Sequence, residues 1–530
     1  VKQEDASIIL KPRSTQCKLN NLPSLCYLGI ARMLAFASLI LPASTYSANN
    51  STEDIDLPTL NQGGSALMTT AQEYSLGQTW LRSFRAAAPI DDDPVVFEYV
   101  ENLLLSLASH SELDNRNLDL VMVSNPTINA FAVPGGVVGV HTGLLQNAQT
   151  EAQFASVLAH ELAHLSQRHF VRGIEAAKRS SLATFSGMLA GLVLAAAGEG
   201  DAATAAIASS QAAALESRLR YSRLHEREAD RIGMKTLHHS GYASAEAANM
   251  FKQMQNVARL YGNKTPEFLL THPVTESRIA DAENRARQIG EIGAVDSIEY
   301  QRIKARGFVN QQANPKQAIQ HFQFILQNPA LASSNQPALF AQQPNRAQSF
   351  AAEAARYGLT LAYLKAEQWQ LARETLAPLI KKTPPRIIYS LADIRIDLAA
   401  GLNKRAVKRL QNLYALTPNN YAIGMLLGKT LMQSKKYSAA SNVLQTLATA
   451  KPKQADIWYL LAEAQGFANE ILGLHRSRAE FFLLHAQYAQ AMRHLEMALK
   501  LAGNDYQVTA MIKQRLRNVA VMRQNAKNMS

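Results

Sequence analysis

Thiols are nearly missing from this chain: of its 530 residues only Cys17 and Cys26 are cysteine. Both fall in an expected leader, and a chain that has lost it keeps no thiol, which excludes a disulfide framework and thiol catalysis. Long apolar runs are also scarce. The longest, Ser181 to Ala197, sits at the short limit of the roughly 20 residues that cross a bilayer and is interrupted by Gly187 and Gly191. No dense block of Lys or Arg occurs, because the 54 basic and 42 acidic residues, net +12, are scattered. That removes nucleic acid from the expected partners and leaves an anionic membrane, an acidic partner or plain solvation for the diffuse positive surface. With 47% hydrophobic and 18% charged residues and only 26 Gly and 19 Pro, the chain is neither disordered nor low in complexity. Its length calls for two or more domains.

Lys11, Arg13, Lys18 and Arg32 precede the apolar run Met33 to Leu41, which ends in Pro42 and small residues to Ala48. Residues 1–48 therefore read as a secretory signal peptide, with an uncleaved anchor as the alternative. Residues 49–69 form a flexible lead-in. Helical patterns follow at 70–87 and 94–109, the second opened by Asp93-Pro94, a cap and first-turn pair. Three short β-type runs, 118–123, 128–133 and 137–141, predict a small antiparallel sheet, and from Leu144 the chain reads helical. Residues 70–295 are taken as one domain. Within it, 181–214 is almost all Ala, Gly, Leu, Val and Ser, and stands as a buried hairpin, a lid or membrane-touching loop, or a span.

Residues 296–530 read as paired helices at a period near 34 residues. The best copy is Tyr421 to Pro452, with Gly428, Leu431, Ala440 and Leu444 at tetratricopeptide positions. Others begin near Ala351 and around Trp458, a later pair carries Ala479 and Ala491, and residues 329–349 read as a loop. The fold class is mainly α: a domain of helices with a small antiparallel sheet, then a helical repeat solenoid.

The strongest chemical signal is His160-Glu161-Leu162-Ala163-His164. On a helix, His160 and His164 lie one turn apart on one face, so both imidazoles can reach one metal ion, while Glu161 can take a proton from a metal-bound water. With 13 His in 530 residues, such a pentapeptide is expected by chance roughly 0.02 times. A zinc hydrolase needs a third protein ligand. Glu226 can supply it, with Asp230 one turn later orienting an imidazole. His272, stiffened by Pro273, can occupy a fourth position or stabilise an oxyanion. His169, His225, His238 and His239 carry less signal, and Glu228 points elsewhere on its helix.

Taken together, His160 to His164, the Glu226 to Asp230 spacing, Thr271-His272-Pro273 with Arg278, and Asn129 to Gly136 resemble the M48 family of zinc metallopeptidases, and the repeats narrow the resemblance to its periplasmic branch. It implies that residues 70–295 are a zincin-like metalloprotease domain with one Zn²⁺ per chain on His160, His164 and Glu226, with Glu161 as general base, Asp230 and Arg278 in support, and His272 as a regulatory fourth ligand. It also implies a periplasmic place in a Gram-negative bacterium and work on unfolded or stalled outer-membrane polypeptides, with the β-barrel assembly machinery met through the repeats. Residues 181–214 would supply any peripheral membrane contact. An extended substrate would pair with Val137–His141, provided that strand lies at the sheet edge. Two other functions stay open: a repeat-based chaperone or scaffold whose zinc site is weakly active or structural, and an integral membrane protease.

Overall fold

The computed structural model describes residues 68–176, 212–261, 267–290, 292–328, 344–381 and 386–529. The expected leader and residues 181–211 of the apolar segment lie outside the described residues. Among the described residues no helix is long and apolar enough to cross a membrane.

Helix α1 (Thr70–Ala87) starts in a capping box, in which Thr69 accepts the Gln72 N–H and the Gln72 side chain returns to the Thr69 N–H. Helix α2 (Pro94–Ser109) opens as its sequence predicts, with Asp93 accepting the Val95 and Val96 amides and Pro94 in the first turn. Both helices match their expected bounds.

The sheet holds β1 (Asp119–Val123), β2 (Ala130–Val133) and β3 (Val137–His141), in the order β1-β3-β2. Strand β3 pairs antiparallel with β2, through a turn whose Gly135 and Gly136 have φ of 84° and 86°, and parallel with β1. The expectation of an all-antiparallel sheet with β3 at its edge is therefore corrected: the sheet is mixed and β3 is central. The physical reason lies in two places. The Asn125 carbonyl accepts the Gly143 amide and the Thr142 hydroxyl, so the β1–β2 link is pinned beside the end of β3 and leaves a slot between β1 and β2. Val137-Val138-Gly139-Val140 is a continuous apolar run, and every residue of β3 is buried, the mark of a strand covered on both faces and both edges.

After α3 (Thr142–Asn147) comes α4 (Glu151–Ser166), then α5 (His169–Ala176), α6 (Ala212–His239), α7 (Ala245–Tyr261), α8 (Glu267–Thr271) and α9 (Glu276–Ile289). Every residue of α4 from Ala152 to Ala163 is buried, including the face that bears the histidines. It packs against α2, β2, α6 and α7. Helix α6 crosses α4 at Gly233, where an added Cβ would lie 3.1 Å from the His160 backbone. That close approach carries Glu226 and Asp230, on the two preceding turns of α6, over the motif helix.

The remaining helices are α10 (Ile298–Gln311), α11 (Pro315–Gln327), α12 (Pro344–Lys365), α13 (Trp369–Ile380), α14 (Ile387–Ala399), α15 (Asn403–Leu416), α16 (Tyr421–Gln433), α17 (Tyr437–Ala450), α18 (Ala455–Phe467), α19 (Ile471–Leu484), α20 (Tyr488–Leu501) and α21 (Tyr506–Met529). The expected loop 329–349 is shortened, because 344–349 already belong to α12; the rest of it lies outside the described residues. The best copy, Tyr421 to Pro452, is the pair α16 and α17. A residue with positive φ recurs every 34 residues, at Glu367, Gly401, Lys435, Asn469 and Gly503, each in a turn between two helices. Ala486 adds a further such turn between α19 and α20, the pair read around Ala479 and Ala491.

The described residues all belong to one compact unit. The catalytic half and the repeats share a hydrophobic core that runs from Phe97 and Leu104 to Tyr421 and Leu444. Phe97 meets Tyr421 edge-on at 5.8 Å, Asn420 donates to Glu98, and Lys453 reaches Asp119 at 2.8 Å. On the other side, the Tyr300 hydroxyl bonds the Leu145 carbonyl and the Arg306 guanidinium clasps Asp93 at 2.8 Å.

Candidate metal centre

Four side chains from three separate stretches converge on one point. His160 and His164 project from α4, Glu226 from α6 and His272 from the residue after α8, and their ligand atoms all lie within 4.8 Å of one another. His160 Nε2 is 3.0 Å from His164 Nε2 and 3.4 Å from a Glu226 oxygen, and His164 Nε2 is 3.4 Å from the other. His272 Nδ1 lies 3.4 Å from His160 Nε2 and 3.0 Å from Glu226 Oε1. Ligands bound tetrahedrally to zinc at 2.0–2.1 Å are about 3.3 Å apart. Two imidazoles, a carboxylate and a third imidazole at such separations fit a zinc ion in both chemistry and size.

Behind these atoms stands a layer of ion pairs. His160 Nδ1 lies 3.0 Å from Asp230 Oδ1, and Arg278 grips both Asp230 oxygens at 2.7 Å. The same guanidinium donates to the Pro273 carbonyl at 2.8 Å and sits 3.1 Å from Glu226, so it ties α6 to the loop that carries His272. Arg278 itself is buried, with its plane over the Phe251 ring. His272 stacks on Phe268 with ring centroids 4.7 Å apart.

Burial opposes charge throughout this cluster. On His164 burial wins and lowers the imidazole to about 3. Burial also disfavours the His160 cation, but Asp230 and Glu226 overcome it and raise the imidazole to about 10. Glu226 and Asp230 stay below the usual carboxylate range despite burial, Glu226 through His272 and the other imidazoles, Asp230 through His160 and Arg278.

Glu161 is 1% exposed, and burial pushes its carboxyl up. Its Oε1 has no hydrogen-bond partner among the described residues, and His272 Nε2 lies 3.7 Å away. The Ala132 amide of β2 bonds the same carboxyl group. Strand β2 is thus the edge strand that flanks the motif helix, the place expected for β3.

All seven residues expected from the sequence meet here: His160, Glu161, His164, Glu226, Asp230, His272 and Arg278. Two that carried little signal join them. His169 Nδ1 lies 2.9 Å from His164 Nδ1, and His169 Nε2 lies 3.1 Å from Glu228. The five-residue step from His164 to His169 matches neither i+3 nor i+4, so helical spacing hid it.

Comparison with known proteins agrees with this geometry. Residues 94–286 match Peptidase family M48, and residues 397–464 match a tetratricopeptide repeat family. The chain is 30% identical over 475 residues to the beta-barrel assembly-enhancing protease of Escherichia coli (strain K12), covering 88% of this chain and 91% of that one. It is 29% identical over 468 residues to a putative beta-barrel assembly-enhancing protease of Vibrio cholerae serotype O1, covering 88% and 92%. Over 171 residues, 32% of each chain, it is 30% identical to the mitochondrial metalloendopeptidase OMA1 of Arabidopsis thaliana.

Proposed function

The chain belongs to peptidase family M48 and is a metalloendopeptidase, and from that premise we propose that it is a periplasmic zinc endopeptidase that cleaves misfolded or stalled outer-membrane β-barrel polypeptides and assists their assembly. The observation that carries the metal assignment is the convergence of the His160, His164, Glu226 and His272 ligand atoms within 4.8 Å of one another. His160, His164 and Glu226 would hold one zinc ion per chain, and His272 would be a fourth ligand to it. Zinc so held supplies a polarised carbonyl and a water whose pKa falls toward about 7.

Glu161 is the base. Its unpartnered Oε1 accepts the water proton and hands it to the leaving amine, and the upward push of burial brings the carboxyl closer to the pH at which both transfers are efficient. Asp230, clamped by Arg278, orients His160. The outward edge of β2 offers its backbone to an extended substrate, which gives affinity for unfolded chains with little dependence on sequence. Export through the leader pattern of residues 1–48 delivers the enzyme to its compartment. The role in β-barrel assembly is supported by the names of the two long relatives and by repeats suited to protein docking.

Two variants test the proposal in the purified chain. Glu226→Ala should lose the zinc, about one per chain in the wild type by elemental mass spectrometry. Glu161→Gln should keep that zinc and lose cleavage of an unfolded polypeptide by about 10²–10⁴-fold, the contribution of a positioned base. Zinc retained in Glu226→Ala would refute the ligand set, and full cleavage by Glu161→Gln would refute the base.

A further inference from the structure

We infer that His169 and Glu228 are positioning residues that fix the tautomer and direction of His164 through a relay of three side chains running from the zinc site to Arg172. The inference rests on the ligand set proposed above.

The hydrogen-bond logic runs one way only. His164 turns Nε2 toward His160 and Glu226, so that nitrogen is its ligand atom. A ligating imidazole carries its proton on the other nitrogen and donates it outward. His164 Nδ1 lies 2.9 Å from His169 Nδ1, so His169 must accept there and hold its own proton on Nε2. That nitrogen lies 3.1 Å from Glu228 Oε2, an acceptor. The Arg172 guanidinium donates to the same oxygen at 2.9 Å and ends the chain. The His225 ring stacks on His169 at 4.2 Å and 11°, which sets the plane of the middle ring. His169 is buried among these partners.

The backbone is built to bring His169 back. Helix α4 is capped by Gln167, and Arg168 takes a positive φ of 50°, a conformation that L side chains rarely adopt. Its side chain is anchored on Glu73 and the Met68 carbonyl. The reversal starts α5 at His169 and folds its ring under His164. The two motif histidines thus have parallel supports: His160 leans on Asp230 and Arg278, and His164 on His169, Glu228 and Arg172. Both end in a carboxylate–guanidinium pair.

The test measures zinc affinity by competition with a chromogenic chelator at fixed pH, and the visible absorption of the cobalt(II)-substituted protein, on the full chain. His169→Leu should weaken zinc by about 10–100-fold and shift the cobalt bands. His169→Asn can place Oδ1 near the position of Nδ1 and should recover most of the affinity, a rescue that simple packing would not give. Unchanged affinity and bands in His169→Leu, or Asn no better than Leu, would overturn the relay. If His169→Leu does not fold, Glu228→Ala decides, because it removes the acceptor and Glu228 is partly exposed: a severalfold loss supports the relay and wild-type affinity overturns it. Glu226→Ala separates the premise from the relay. Wild-type affinity in Glu226→Ala removes the ligand set and the relay with it, whereas loss there with none in the His169 variants removes the relay alone.

Discussion

His272 differs from the other metal-site residues in being attached to no regular element. It follows the single-turn helix α8, its amide bonds the Phe268 carbonyl at 2.7 Å, and its ring rests on Phe268. On the proposed ligand set, His272 so mounted could leave the ion without unfolding α4 or α6, which carry the other three residues, and while bound it would take the place that a water or a substrate carbonyl needs. His272→Ala should therefore raise basal cleavage of an unfolded polypeptide by about tenfold, equal to about 1.4 kcal/mol of restraint removed, with zinc still bound. An unchanged basal rate would deny His272 a gating role. Arg278 is its counterpart in rigidity, since one guanidinium holds Asp230, Glu226 and the Pro273 carbonyl together.

At the scale of elements, the site depends on how closely two helices approach. Gly233 lets α6 lie on α4 with room for no side chain, since a Cβ there would stand 3.1 Å from both N and Cα of His160. Gly233→Ala should push the helices apart by a few tenths of an ångström and cost about 1–3 kcal/mol, as overpacking does. Because Glu226 and Asp230 ride on α6, the zinc affinity should fall with it. Thermal melting of the metal-free chain beside a chelator titration checks both, and an alanine that binds zinc normally would show that α6 has slack. The sheet makes a related point. Since β3 is paired on both sides, β2 is the strand with an open edge beside Glu161 among the described residues, and it lies there because the β1–β2 link leaves the central place free.

Over the whole molecule, catalytic half and repeats are held as one body by a shared core and by buried charge. Asp296, between the two, accepts the Glu151 amide at the start of α4 and the Gln301 side chain at the start of the array. Burial raises its carboxyl to about 7. A folded pKa above the unfolded value of about 3.9 means that the native state binds the proton more tightly. The stabilisation is full below that unfolded value and is lost as pH climbs to about 7. Asp296→Asn should remove this component, so urea melts of wild type and variant should diverge between pH 4.5 and 8, with the variant falling less. Parallel pH profiles would show that Asp296 does not titrate in that window.

Much was legible without coordinates, for reasons of local physics. The Asp93-Pro94 cap, the one-turn spacing of His160 and His164 and the 34-residue period are all expressed within a helix or a turn, and the positive-φ turns repeat that period in the backbone. Glu226 and His272 could be named as candidates only in the company of the His160–His164 motif and the family resemblance, since no local spacing says how a distant helix or loop will meet that motif. The central place of β3 and the contact of His169 with His164 were decided by tertiary structure alone. Strand order depends on which slot a link leaves open, and a five-residue return depends on an Arg168 conformation that its ion pair with Glu73 sustains. The sequence by itself determined the chemistry available to this protein; the tertiary structure decided which groups meet, because meeting requires helix crossings and reversals that no local spacing encodes.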